Sequence, residues 1–111
     1  MGADHERIGG VIGLQPHGRD ALLRSFAVAP GWRGSGLASR LHAAALAQAT
    51  TLGVDRLWLL TTTAAGWFVR HGWQQASRND VPVALQATPG FSHLCPASAL
   101  CMTRRVDTPA P

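Results

Sequence analysis

The chain has 111 residues, 46% hydrophobic and 14% charged, with a net charge of +4. That length fits one domain with its own core, and that balance excludes a disordered chain. No apolar run approaches the roughly 18 residues of a membrane helix, and the opening MGADHERIGG has no apolar signal segment, so a cytoplasmic protein with no membrane partner is expected.

Residues 7–14, RIGGVIGL, are apolar and β-branched and predict a strand. QPHGRD has the composition of a turn. Residues 21–28, ALLRSFAV, predict a second strand, so the two form an antiparallel hairpin. Arg24 places a charge in mid-strand, which either contact with an acidic substrate or an exposed sheet face explains. APGW ends the strand, and Trp32 within it reads as a surface residue. From Ser35 to about Leu52 the spacing is helical, with Leu37, Leu41, Ala44, Ala45 and Leu52 near one face and Gly53 as the stop.

RLWLLTTT, residues 56–63, reads as a buried central strand. AAGWFVRHGW predicts a short helix closed by Gly72. Residues 73–77 predict a short strand and residues 81–88 a helical turn. The final strand lies within 95–106, from about Ser98, and residues 107–111 form a disordered tail. The order β-β-α-β-α-β-(α)-β predicts a single α/β (α+β) domain over residues 1–106, with a mixed sheet flanked by helices.

Trp58, Trp67 and Trp73 read as core residues. All ten basic residues are Arg, scattered apart from Arg104–Arg105, and without interleaved aromatics they give no reason to expect nucleic acid as a partner. Cys95 and Cys101 read as small buried apolar residues rather than a disulfide or metal pair. His5, His17, His42, His71 and His93 lack metal-ligand spacing and read as mostly solvent-facing, so no metal site is expected.

GWRGSGLASRL, residues 31–41, is the stretch that carries chemistry. Gly34 and Gly36 sit where a strand passes into a helix. Without Cβ atoms they let a ligand approach the backbone closely. The first N–H groups of the helix lack intrahelical partners and lie at the positive end of its dipole, which suits a phosphate. Arg33 adds a planar, charged fork of donors. The absence of Lys excludes a P-loop. A dinucleotide fingerprint fails twice: Ser39 replaces its third glycine, and Asp55 lies at the wrong end of the next strand.

The run R-x-x-G-x-A, Arg33 to Ala38, resembles the acetyl-CoA loop of the GNAT N-acetyltransferase superfamily. LRSFAVAPGWRGSGLASRL is similar to that family's strand, turn, pyrophosphate loop and helix, and TTTAAGWFVRHGW resembles its second signature. The segments ALLRSFAVAPGWRGSGL, LTTTAAGWF and FSHLCPASALCM look like the small acetyltransferases of bacterial arsenic-resistance operons.

The resemblance implies an acetyl-CoA-dependent N-acetyltransferase acting by direct transfer on the amine of a small molecule or amino-acid-like acceptor. It implies that Phe26, Ala27 and Val28 offer backbone to the pantetheine arm, and that Arg33, Gly34, Ser35, Gly36, Leu37 and Ala38 wrap the pyrophosphate. Thr61 falls where the family often has Asn, and Trp67 and Phe68 fall beside the acetyl end. Phe68 replaces the Tyr that often protonates the leaving thiolate; with no Tyr in the chain, water or Ser25 is the expected acid. Glu6 is the candidate base for the amine. The family's first strand and two helices have no counterpart ahead of the hairpin. The alternative reading is therefore a truncated, non-catalytic module that binds acetyl-CoA or a partner. A homodimer that lends walls to the acceptor pocket is a further expected arrangement.

Overall fold

The protein is described here by a computed structural model covering residues 10–28, 36–88 and 99–107. β1 (Gly10–His17) and β2 (Asp20–Val28) form the expected antiparallel hairpin. β1 carries on through Gln15, Pro16 and His17, which by composition belong to the turn. The turn itself is only Gly18–Arg19, with Gly18 at φ 66°, the left-handed backbone that short hairpin loops require. Pro16 is tolerated because β1 ends the sheet order, so its missing N–H breaks no ladder on a second side.

α1 (Leu37–Thr51) follows, shorter at both ends than its pattern predicts. Gly36 holds φ 85° at its N-terminus, and Gly53 at φ 77° closes it as expected. The helix turns His42, Ala45 and Ala49 inward, whereas Ala44 and Leu52 are exposed. Small residues let the helix axis approach the sheet, and Leu37 and Leu41 are half-buried beside them. The row 38, 42, 45, 49 is thus the packing row, not the row with the largest apolar residues.

β3 (Arg56–Thr61) stops two residues before its threonine run does. The Thr61 hydroxyl accepts the Ala64 N–H at 3.1 Å and folds the chain into α2 (Ala65–Arg70). β4 (Gln74–Ala76), a short 3-10 turn at Arg78–Asp80, α3 (Val83–Gln86) and β5 (Leu100–Arg105) complete the described chain. Asp107 lies in a turn after β5 and accepts from Arg105 Nε at 3.2 Å.

The sheet order is β1-β2-β3-β5-β4, with β2–β3 parallel and the other pairs antiparallel. This is the mixed sheet that the element order predicts. One face packs Ala21, Leu23, Leu57, Leu59 and Met102 against α1 and α2. The other packs Leu22, Trp58 and Cys101 against Val81 and Leu85 near α3.

Candidate functional site

The parallel pair at the centre of the sheet is incomplete. β2 and β3 pair at Asp20–Arg56, Ala21–Leu57 and Leu22–Trp58, and the ladder then stops. β2 continues six residues further to Val28, held on its outer side by β1. β3 continues to Thr61, held on its other side by β5. The two strands therefore diverge from Leu22 and Trp58 onwards. Beyond Leu22 no described strand pairs with the β3-facing edge of β2, whose backbone groups call for partners.

A bulge reinforces the divergence. Val11 pairs with Ala27 and Gly13 with Arg24, so Ser25 and Phe26 of β2 stand opposite the single residue Ile12. An extra residue on one strand bends it and increases its twist.

α1 begins at Leu37, nine residues after β2 ends at Val28. Gly36 caps it in the left-handed conformation, with no side-chain cap and no acidic residue in the first turn. A Cβ on Gly36 would meet nothing within 4 Å. Among the described residues the first turn thus carries no acidic side chain of its own to offset its dipole.

Behind the first turn lies a cluster of rings that the sequence does not announce. His42, which reads as solvent-facing, is only 4% exposed. Its Nε2 accepts from Trp73 Nε1–H at 2.9 Å, which puts the ring proton on Nδ1. Burial first, then the charges of Arg104 and His71, push its pKa down to about 4. His71 stacks on Trp67 with centroids 3.7 Å apart. Its Nδ1 lies 2.8 Å from the Trp67 carbonyl and its Nε2 3.2 Å from the Ser39 hydroxyl. This ties the end of α2 to the first turn of α1. The spacing of 42 with 38, 45 and 49 was the one sequence signal that could have placed His42 inside.

Arg104 closes the cluster from β5. It is buried, and its guanidinium donates to the carbonyls of His71, Arg105 and Val106 at 2.8, 2.7 and 3.2 Å. The Arg104–Arg105 pair is therefore no basic patch: one member is internal and the other binds Asp107.

Of the site residues read from sequence, Glu6, Arg33, Gly34 and Ser35 lie outside the described residues. So do Trp32, Cys95, His5 and His93. Ser25, Phe26, Ala27 and Val28 form the bulged, diverging part of β2. Gly36, Leu37 and Ala38 form the cap and first residues of α1. Thr61 ends β3, its hydroxyl held by the turn into α2. Phe68 sits in the core at 5% exposure, against Trp67 and Trp73. Cys101 is buried, as its composition suggests, and burial raises its thiol pKa.

Taken together, the parted central strands, the bulge and the glycine-led start of α1 define an α/β domain whose mixed sheet opens at its parallel pair. The family described as the acetyltransferase (GNAT) domain matches residues 2–75, and the chain belongs to that family. It is 32% identical over 75 residues to an amino-acid acetyltransferase of Ralstonia nicotianae, across 66% of this chain and 17% of that protein. N-acetylglutamate synthase of Neisseria gonorrhoeae, solved with coenzyme A and N-acetyl-glutamate, superposes with a TM-score of 0.74 at 24% identity. That match covers 89% of this chain and 23% of that one. A GNAT-family acetyltransferase of Staphylococcus aureus gives 0.73 at 20% identity, over 93% and 63%. The chain thus spans only 17% and 23% of the lengths of the first two relatives.

Proposed function

We propose that this domain transfers the acetyl group of acetyl-CoA directly to the amine of a small acceptor. The observation that carries this reading is the wedge between β2 and β3, followed in the chain by an α1 that starts at a left-handed Gly36 with no side-chain cap. Acetyl-CoA, when bound, supplies an activated thioester carbonyl to an amine and leaves as a thiol. The bound coenzyme A of the gonococcal synthase supports this choice of co-substrate.

In this reading the backbone of Phe26, Ala27 and Val28 pairs with the pantetheine arm. Gly36, Leu37 and Ala38 give N–H groups to the pyrophosphate, with Arg33, Gly34 and Ser35 completing the loop. Backbone N–H groups of the bulged strand polarise the carbonyl where charge develops. Thr61 lines the opposite strand end. Phe68, being buried carbon, gives no proton, which leaves Ser25 or water as acid and Glu6 as base. Much of the rate then comes from holding amine and thioester together. We further place the chain with the small arsenic-resistance acetyltransferases, on the three segments quoted above.

The test is calorimetric titration with acetyl-CoA of the wild type and of Arg33→Ala. Micromolar binding that weakens in the variant is the expected result. A folded wild type that does not bind acetyl-CoA overturns the reading. Binding with no turnover on any amine selects the non-catalytic module.

A further inference from the structure

Arg24 is an exposed charge in the middle of β2. Its neighbours Ala21 and Leu23 pack towards α1 and α2, while Leu22 packs on the opposite face. Strand alternation puts Arg24 on that opposite face with Leu22. It lies two residues beyond the last β2–β3 pair, so it stands at the closed end of the wedge. By strand rise it is about 13 Å along β2 from Val28 at the open end.

The guanidinium is held in place. Its NH1 donates to Gln15 Oε1 on β1 at 2.8 Å. Gly13 pairs with Arg24 across the hairpin, and a Cβ there would come within 3.8 Å of Arg24 Cγ. That is ordinary contact, so the Arg24 stem lies directly over the β1 backbone at Gly13. Among the described residues no carboxylate comes within salt-bridge distance of Arg24; the ion pairs are Arg19–Asp55 and Arg105–Asp107. Asp20, the acid on the same face of the strand, accepts from Trp58 Nε1 at 3.0 Å instead. An Arg that is fixed by a neutral amide presents the rest of its planar fork of donors, a shape matched to a carboxylate.

We propose that Arg24, positioned by Gln15, binds a carboxylate of the acceptor, so that the amine substrate is an amino acid. The proposal rests on the acetyl-transfer reading for the identity of the site, but Arg24 binds the acid whether or not transfer follows. Its position at the closed end of the wedge would place the acceptor's amine where a chain threaded along β2 ends. The acetyl group and the amine then meet at the bulge, with the carboxylate anchored one strand-width away.

Two measurements test it. Binding of L-amino acids and of their carboxamides to the CoA-saturated protein is followed by ligand-observed NMR, for the wild type, Arg24→Gln and Arg24→Lys. The wild type should bind amino acids better than their amides, and Arg24→Gln should lose roughly 10- to 100-fold of that affinity, the range for a hydrogen-bonded charge pair. Arg24→Lys, which keeps the charge without the fork, should recover part of it. In turnover, Arg24→Gln should raise KM for the acid and leave KM for acetyl-CoA unchanged. Equal binding of acids and amides by the wild type, or undiminished acid binding by Arg24→Gln, overturns the proposal. Loss of acetyl-CoA binding in the wild type overturns the transferase reading instead, and acid binding that depends on Arg24 would survive it.

Discussion

Replacing His42 with Gln should flatten the acid dependence of this protein's stability. In the folded chain His42 is held neutral, its pKa pushed down to about 4 by burial and by the nearby Arg104 and His71. In the unfolded chain an imidazole titrates near about 6.5. Between these values the unfolded state takes up a proton that the folded state refuses. The contribution is therefore complete above about pH 6.5 and is lost as pH falls towards about 4. Across the whole window it amounts to about 3 kcal/mol at 1.36 kcal/mol per pH unit, and to about 2 kcal/mol between pH 7 and pH 5. Gln does not titrate, and its amide oxygen can still accept from Trp73 Nε1. Urea unfolding followed by Trp fluorescence at the two pH values gives the comparison directly. With a slope of about 1–2 kcal/mol per molar urea, the wild-type midpoint should fall by about 1–2 M more than that of the variant. Parallel losses in wild type and His42→Gln would refute the reasoning, because His42 would then not be kept neutral by the fold.

The same cluster and its neighbours yield three more expectations. Trp73→Phe keeps most of the packing but leaves the buried His42 Nε2 without its donor; a loss of about 1–3 kcal/mol is expected, read as a fall of several degrees in Tm. Gly72→Ala should cost more than Gly53→Ala. Both hold left-handed backbone, worth about 1–2 kcal/mol against a side chain, but at Gly72 the new Cβ also comes within 3.0 Å of Arg104 Nε, whereas at Gly53 it meets nothing within 4 Å; chemical denaturation of the two variants gives the difference. Leu57→Ala, at a fully buried position between sheet and helices, should lose about 2–5 kcal/mol by equilibrium unfolding.

The order of elements could be read from local pattern because each rule involved is local. The strand composition of 21–28, the helical pattern after Gly36, and the glycines at 53 and 72 each act within a few residues, and the structure keeps the strand, the helix and both stops, though not the helix face as read. The glycine-led opening of α1 was legible for the same reason: a helix mouth without a side-chain cap is a property of one short stretch.

What the chain's pattern left open was decided by partners distant in sequence. His42 is inside because Trp73, far along the chain, supplies a donor to its Nε2. Arg104 is inside because the carbonyls of His71, Arg105 and Val106 converge on it. A polar side chain enters a core only where such partners wait, and composition cannot report them. The wedge likewise exists only in three dimensions. No residue in 20–28 states that β2 leaves β3 after Leu22, since register and bulge come from the pairing of β2 with β1 and of β3 with β5. Local pattern was enough for the elements and the glycine-led start of α1; long-range pairing set which polar groups are internal, where the sheet opens, and that Arg24 stands at the closed end of that opening.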